Sequence, residues 1–222
     1  MAQPRKLILN FHGVGPVTRD VDNGERNCWL ERAAFDAVLD LVHGHSHVRL
    51  TVDDGNASDH DQILPSLLAR GLMADFFVCS ARIDQPTFLS HAQLRTLRDR
   101  GMGIGSHGAT HRAWRGLPPE ELRVELTDSR VALEEACGAP VTTAACPFGS
   151  YDRRVLNELK RAGYRRVYTS DGGLADDDAW LQPRTTITRG MRMEEIRQLI
   201  DHGPGRIRQI SISLRKTLKR LR

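Results

Sequence analysis

The chain has 222 residues, 40% of them hydrophobic, and a formal net charge of +4, so it is long enough for one domain with a sizeable core. The apolar run at residues 7–9 is too short for a signal-peptide core, and no other segment approaches the length of a membrane span. The four cysteines are scattered without a C-x-x-C pair, as is typical of reduced thiols, so we expect a cytoplasmic protein.

Strand-like and helix-like segments alternate along the chain. A strand is predicted at 7–11, a polar loop at 17–28, a helix at 30–42 and a second strand at 48–52. The alternation continues with predicted strands at 74–78, 102–105, 142–146, 166–170 and 184–188, and with predicted helices at 63–68, 90–101, 119–137, 152–163 and from 193. This order predicts an α/β fold in which about seven parallel strands, with helices outside, form a closed or nearly closed (β/α) barrel.

Two adjacent carboxylates, Asp53 and Asp54, follow the second predicted strand, and Gly55-Asn56 supplies the turn that ends it. Successive side chains in a strand point to opposite sides, so the two carboxylates would do different work unless the turn brings both into one pocket. One could bind a cation while the other handles a proton. If this segment stood alone, a solvated turn would be the simpler interpretation.

Two histidines spaced four residues apart, His107 and His111, follow the predicted strand at 102–105. Imidazole and carboxylate together suit Zn, Fe, Ni or Co, and three protein ligands leave coordination positions open for water and substrate. Asp54, His107 and His111 are therefore candidate ligands of a divalent metal. A single histidine is more often structural, but two at ligand spacing, with a double Asp after an earlier strand, favour a metal site.

Three segments resemble the motifs of the polysaccharide deacetylase family, also called the NodB-homology or carbohydrate esterase family 4 domain. The family motifs T-F-D-D-G, S-H-T-x-x-H and R-x-P-Y/F-G are similar to T-V-D-D-G at 51–55, S-H-G-A-T-H at 106–111 and A-C-P-F-G at 145–149. Their order and spacing match, and the resemblance covers residues 7 to 188 approximately. It implies an incomplete, distorted (β/α) barrel, which we assign to residues 1–204, and removal of acetyl groups from N-acetylated sugars.

The resemblance also implies roles for individual residues. The implied site consists of the base Asp53, the metal ligands Asp54, His107 and His111, and the oxyanion loop Pro147, Phe148 and Gly149. Zn is expected as the metal before Co, Ni or Fe. Such a metal lowers the pKa of water and polarises a carbonyl, while a carboxylate base contributes about 10²–10⁴-fold to the rate.

Two departures from the family pattern concern the groups around the base. Ala145 stands where the third motif begins with Arg, and no late Leu-x-His follows Thr188. Some members, including relatives that act on poly-N-acetylglucosamine, carry Tyr-His on the first strand, and similar sequences have Pro-Arg before the last strand. Phe11-His12 and Pro183-Arg184 look similar, so His12 is the candidate acid and Arg184 the candidate partner of the base. The alternative for His12 is a hydrogen-bonded histidine at a strand end, and the alternative for Arg184 is an ordinary surface salt bridge.

Other loop residues have two interpretations each. Asp171 follows a predicted strand and could hydrogen-bond His12 or the substrate, although a simple turn is the safer interpretation. Tyr151, Trp114 and Trp180 could stack on a sugar ring, or they could pack under loops that cover the barrel.

The C-terminal segment 205–222 contains seven Lys and Arg residues and no acid, so the rest of the chain is mildly acidic. Its apolar residues recur at three- and four-residue intervals, which predicts a basic amphipathic tail able to lie on an anionic membrane surface. A partly packed terminal helix with a solvated charged face is the other interpretation. Nucleic acid is not an expected partner, because no aromatic residues interleave the charges.

These observations predict a metal-dependent N-deacetylase, cytoplasmic or peripheral at the membrane, that acts on an N-acetylated sugar or glycan precursor during surface-glycan synthesis. Three alternatives remain open. One is a catalytically inactive metal- or glycan-binding module of the same fold. The second is an Fe(II) oxygenase, because two His and one carboxylate also suit that metal. The third is a hydrolase of a small amide that is not a sugar.

Overall fold

The computed structural model of the protein describes residues 5–21 and 23–205, together with Thr217 and Lys219. The strands are β1 (Lys6–Phe11), β2 (Val48–Asp54), β3 (Ala74–Val78), β4 (Gly103–Ser106), β5 (Thr143–Ala145), β6 (Arg166–Thr169), β7 (Leu174–Ala175), β8 (Leu181–Pro183) and β9 (Thr185–Thr186). The helices are α1 (Asn23–Cys28), α2 (Arg32–Val42), α3 (Leu64–Leu68), α4 (His91–Asp99), α5 (Pro119–Arg123), α6 (Ser129–Cys137), α7 (Arg153–Arg161) and α8 (Met193–His202). Single π-helical turns precede α3, at Asp59–Ile63, and join α5 to α6, at Val124–Asp128.

The strands form one nine-stranded sheet that curls into a nearly closed barrel. The order is β7-β1-β2-β3-β4-β5-β6-β8, and β9 pairs with β1 at Leu9 and Asn10, on the same edge as β7. All pairs are parallel except β1 with β7. The predicted α/β fold, a distorted (β/α) barrel of about seven parallel strands with outer helices, is confirmed.

The last strand, predicted at 184–188, is shorter in the structure, where it is β9 at Thr185–Thr186, and a second short strand, β8, precedes it. β8 pairs with β6, whereas β9 pairs with β1. Arg184 lies between them, and its backbone N–H donates to the carbonyl of Thr169. The bend at Arg184 thus joins the two edges of the sheet. An alternating sequence pattern indicates a strand but does not show where that strand changes partner.

Two further differences are local. The segment predicted as a loop at 17–28 contains the short helix α1, whose six residues show no apolar period that would reveal it. The helix predicted at 119–137 is continuous in position but contains the π-helical turn Val124–Asp128.

The core has two layers. Ile8, Phe77, Ala145, Tyr168 and Ala175 form a small buried cluster. A much larger cluster fills the space between the strands and the helices, and it includes Phe35 and Leu39 of α2 and Leu133 of α6. This outer layer fixes the helices, and the loops after the strands are held between them.

No helix in the described part of the chain is long and apolar enough to cross a membrane. Of the predicted basic tail at 205–222, only Gly205, Thr217 and Lys219 belong to the described residues, and the rest lies outside them.

Candidate active site

The residues singled out in the sequence lie at the carboxyl ends of neighbouring strands. Asp53 and Asp54 end β2, His107 follows β4, and Arg184 follows β8. In a parallel sheet these ends lie at the same edge, which is where barrel enzymes place their chemistry.

Asp53 and Asp54 converge although they are adjacent in a strand. The backbone of Asp54 has φ +85°, a conformation that is uncommon outside glycine, and Gly55 follows with φ +73°. Both carboxylates therefore approach the same imidazole: His107 Nε2 is 3.8 Å from Asp53 Oδ2 and 3.6 Å from Asp54 Oδ1. A Cβ on Gly55 would lie 2.8 Å from Val78 Cγ1, so the turn requires glycine on steric grounds as well.

Asp54, His107 and His111 form a compact cluster in which one ligand atom from each residue lies within 4.8 Å of the others. His111 Nε2 is 3.1 Å from Asp54 Oδ1. Asp54 and His107 are 2% exposed, whereas the side chain of His111 is 20% exposed. The cluster is therefore closed on two sides and accessible on the side of His111.

The protonation of His107 suits a metal ligand. Its Nδ1 donates to the carbonyl of Ala145 at 2.8 Å, so the lone pair of Nε2 faces Asp54. Burial lowers the pKa of His107 to about 4, which keeps the ring neutral. Asp54 Oδ1 is buried and receives no well-directed hydrogen bond from the described residues. A lone pair facing an orphaned carboxylate oxygen fits a divalent cation, and this nitrogen and oxygen donor set suits Zn, Co, Ni or Fe.

A buried carboxylate on the helical segment behind the site holds the loop that carries both histidines. Glu125 accepts hydrogen bonds from the backbone N–H of Ala109 at 2.8 Å and of Thr110 at 3.2 Å, and from the Thr110 hydroxyl at 2.5 Å. A Cβ on Gly108 would lie 2.3 Å from Glu125 Oε2. Glu125 thus fixes the backbone between His107 and His111, and the sequence analysis did not identify it.

Arg184 grips Asp53 through two hydrogen bonds. Nη1 donates to Oδ1 and Nη2 to Oδ2, both at 2.7 Å. Arg184 is 1% exposed, so its interpretation as a surface salt bridge is wrong. Asn10 completes the arrangement, because its Nδ2 donates to Asp53 Oδ2 at 2.9 Å and its Oδ1 accepts from Arg184 Nη1 at 2.9 Å. A polar residue inside the apolar run of β1 was the available signal for Asn10.

The electrostatics keep both carboxylates ionised. Burial alone raises the pKa of Asp53, but Arg184, His107 and His12 together hold it below its usual value. Burial likewise opposes ionisation of Asp54, yet the contact with His111 and the nearby imidazoles of His12 and His107 hold its pKa well below the usual range. A third carboxyl behaves differently, because burial and the charges of Asp54 and Asp53 raise the pKa of Asp59 well above its usual value.

His12 lies at the end of β1 and is half-buried. The His12 imidazole is among the groups that lower the pKa of both Asp53 and Asp54. Its Nδ1 is buried and has no hydrogen-bond partner among the described residues.

Pro147, Phe148 and Gly149 form a tight turn beside the cluster. The N–H groups of Gly149 and Ser150 donate to the carbonyls of Cys146 and Pro147, and proline has no N–H. Phe148 has φ +57° and is 67% exposed, and its ring lies 4.6 Å from the ring of His111. Phe148 thus presents an exposed aromatic ring next to a candidate metal ligand, whereas the sequence offered Tyr151, Trp114 and Trp180 as the aromatic candidates.

Two of those three aromatic residues are buried, and the third is half-buried. Trp114 and Tyr151 are fully buried, and Trp180 packs against the core with its Nε1 donating to the carbonyl of Tyr164. Asp171 is more than a turn residue, because it accepts hydrogen bonds from the hydroxyls of Tyr151 and Thr169.

A family model described as polysaccharide deacetylase matches residues 42–167. The protein YxkH of Bacillus subtilis, whose name assigns it to the polysaccharide deacetylases, is 25% identical over 172 residues, which cover 77% of this chain and 62% of that protein. The chitooligosaccharide deacetylase of Rhizobium leguminosarum bv. trifolii is 25% identical over 161 residues, which cover 72% of this chain and 69% of that protein. The chain thus spans less than two thirds of the Bacillus relative.

Solved structures share the fold. The Streptococcus pyogenes deacetylase PplD, solved in complex with acetate, superposes with a TM-score of 0.76 at 19% identity, over 89% of this chain and 99% of that one. IcaB from Ammonifex degensii superposes with a TM-score of 0.72 at 19% identity, over 92% of this chain and 99% of that one. At this identity the similarity establishes the common barrel.

Proposed function

Because this chain belongs to the polysaccharide deacetylase family, we propose that it is a metal-dependent hydrolase that removes an acetyl group from an N-acetylated sugar. The ligands would be Asp54, His107 and His111, and Zn is the metal that we expect. A divalent cation bound there would polarise the amide carbonyl and lower the pKa of a water molecule.

The base in this proposal is Asp53. The pKa of its carboxylate lies below the usual value, so the group is ionised at neutral pH and can accept a proton from water. It does not belong to the three-residue metal cluster, which leaves it free for this work. A protein that only bound a metal would need Asp54 and the two histidines, but not Asp53.

The single observation that carries the proposal is the bidentate contact of Arg184 with Asp53. Ala145 occupies the position where the family motif supplies an arginine, which raises the question of what orients the base. Arg184 provides two hydrogen bonds at 2.7 Å from a different strand. A planar guanidinium fixes a carboxylate in one orientation, so the arrangement favours a catalyst over an inactive binding module.

His12 would donate a proton to the leaving amine. Its half-buried ring near the cluster and its unpartnered Nδ1 support this role. The backbone N–H of Phe148 would stabilise the oxyanion, while Pro147 and Gly149 shape the turn. The exposed Phe148 ring would pack against the face of the sugar.

The relatives support a sugar as substrate, since one of them is named a chitooligosaccharide deacetylase. We assign the barrel to residues 1–204 and propose that 205–222 is a basic tail. A cytoplasmic or membrane-peripheral location, with a glycan precursor as substrate and the tail on an anionic surface, completes the proposal. The test compares how the full chain and a chain without 205–222 distribute between soluble and membrane fractions. The same distribution for both would contradict the membrane contact.

The test is acetate release from N-acetylglucosamine oligomers by the Zn-loaded protein, with the metal content of each variant measured in parallel. Asp53→Asn should keep its metal and lose about 10²–10⁴-fold in kcat. Asp54→Asn should lose the metal. His12→Gln should keep the metal and lower kcat. Asp61→Asn, a neighbouring carboxylate whose side chain is 54% exposed, is the matched control and should behave as the wild type.

A different result would point to one of the other functions. If wild type and Asp53→Asn both bind metal tightly and neither releases acetate from any acetylated sugar, the result would favour a non-catalytic binding module. Acetate release only from small amides without a sugar ring would retain the mechanism and reject the substrate.

A further inference from the structure

Lys219 of the C-terminal segment docks beside the candidate active site. Its Nζ donates to Asp171 Oδ1 at 2.6 Å and to the carbonyl of Gly149 at 2.9 Å. The same ammonium lies 5.0 Å from the ring centre of Tyr151. A carboxylate, a carbonyl and an aromatic face are the three kinds of group that recognise a primary ammonium. We call Asp171, Tyr151 and the carbonyl of Gly149 the ammonium pocket.

The barrel preorganises this pocket. With Lys219 in place, the side chain of Asp171 is 3% exposed. Its Oδ2 accepts hydrogen bonds from the hydroxyl of Tyr151 at 2.7 Å and from that of Thr169 at 2.8 Å. Gly149 is fixed against the next strand end, since a Cβ there would lie 2.4 Å from Ser170 Oγ. By contrast, the side chain of Lys219 is 33% exposed. The cation therefore enters from solvent into a pocket that other parts of the chain have built.

The pocket adjoins the proposed catalytic groups. Gly149 directly follows Phe148, whose ring packs on His111. Gly172, next to Asp171, donates its N–H to the carbonyl of Arg184 at 2.9 Å. An ammonium in the pocket is thus close to a sugar bound over Phe148.

We propose that the ammonium pocket is a subsite for the free amine of an amino sugar adjacent to the acetylated residue that reacts. This inference rests on the proposed function, because deacetylation leaves a primary amine of this kind on the glycan. Lys219 holds the same position through its own ammonium and competes with the substrate. The enzyme would then bind partly deacetylated chains better than fully acetylated ones, and removal of Lys219 would increase the preference.

The test compares tetramers of N-acetylglucosamine with tetramers that carry one free amine at each defined position. The measured quantity is the ratio of KM for the acetylated tetramer to KM for the best amine-containing one. In Lys219→Met this ratio should rise about three- to tenfold over wild type, which is the scale of a partly exposed charge-assisted contact. In the double variant Lys219→Met with Asp171→Asn it should fall to about one.

Lys160→Met is the matched control, because Lys160 is exposed and lies over the Trp180 ring outside the pocket. It removes the same charge and should leave the ratio at the wild-type value. Ratios that are equal in wild type, Lys219→Met and the double variant would overturn the subsite.

A second measurement requires neither catalytic turnover nor correct folding of the double variant. Binding of the fully deacetylated tetramer to Lys219→Met, measured by calorimetry, should be tighter than binding to wild type. Equal binding would overturn the subsite even if no tetramer released acetate. Failure of acetate release by wild type on every tetramer, with tighter amine binding by Lys219→Met, would instead reject the proposed function and keep the pocket.

Discussion

Arg184 and Asp53 are 131 residues apart in the chain, yet each satisfies the other in a site that is almost without solvent. Two buried charges carry a large desolvation cost, and they are tolerated only where geometry and further hydrogen bonds compensate for it. Asn10 and Thr51 supply those bonds: Asn10 contacts both charges, and the Thr51 hydroxyl donates to Asn10 Oδ1 at 2.7 Å. The network fixes the direction in which the proposed base points.

We predict that Arg184→Lys lowers kcat by about 10²-fold, the scale of a misplaced catalytic group. Lysine keeps the charge but has no planar fork, so it cannot hold both oxygens of Asp53. The metal content should stay at the wild-type level, because Arg184 does not belong to the metal cluster. Acetate release and metal analysis measure the two effects.

Arg166→Lys is the control for Arg184→Lys, since Arg166 lies on the neighbouring β6 and binds the carbonyl of Asp177. It should retain kcat. An Arg184→Lys variant with wild-type kcat would show that the base needs no bidentate partner.

At the scale of elements, the helical segment behind β4 determines the shape of the histidine loop. The π-helical turn Val124–Asp128 carries Glu125, which is 2% exposed, and turns of this kind occur frequently at functional sites. Ser129 at the start of α6 adds a second contact through the hydroxyl of Ser106, which in turn accepts the N–H of Gly108. Glu125 therefore satisfies the N–H groups of Ala109 and Thr110, the two donors in the middle of this loop.

We predict that Glu125→Gln weakens Zn affinity by about 10- to 100-fold, the usual cost of removing a group that supports metal ligands. In the wild type, Oε2 accepts from the N–H of Ala109 and Oε1 from the N–H and hydroxyl of Thr110. The glutamine side chain has one acceptor oxygen, so one of these two sets of donors would lose its partner. Competition against a chelator of known affinity measures the change.

Glu120→Gln, on the preceding helix α5 and 86% exposed in its side chain, is the control and should bind Zn as the wild type does. Unchanged Zn affinity in Glu125→Gln would mean that the histidines are positioned without this carboxylate.

At the scale of the whole molecule, the side chains that fill the barrel interior determine how closely neighbouring strands pack against each other. Phe77 and Tyr168 fill it, with their ring centres 4.9 Å apart, and Arg184 lies over Phe77 at 5.2 Å. Gly105 of β4 faces this filling, because a Cβ there would lie 2.5 Å from the Phe77 ring and 2.6 Å from Thr143 Oγ1. A glycine in a strand interior often marks a close approach of this kind.

We predict that Gly105→Ala lowers the free energy of unfolding by about 1–3 kcal/mol, the usual cost of an overpacked core. Each kcal/mol corresponds to about 2–4 °C in Tm for a chain of this size. Chemical and thermal denaturation measure the loss. Gly190→Ala is the matched control, since a Cβ there meets nothing within 4 Å, and equal stability of the two variants would contradict the close packing.

The sequence by itself determined the order of elements and the chemistry at the strand ends. The alternation of apolar and polar residues is a local property, so most strands and helices were predicted within a few residues. The spacing of Asp54, His107 and His111 also predicted a cluster, because parallel strands bring their carboxyl ends to one edge. The candidate metal cluster and the barrel thus followed from patterns that span a few residues each.

Tertiary structure alone decided how these groups meet. Asp53 and Asp54 share one pocket only because the backbone at Asp54 takes φ +85°, and no residue pattern encodes that angle. Arg184 reaches Asp53 because the barrel closes at its bend, and Glu125 and Lys219 reach the candidate site from distant segments. Such contacts depend on the packing of the whole sheet against its helices, whereas a sequence pattern records only which residues share an element.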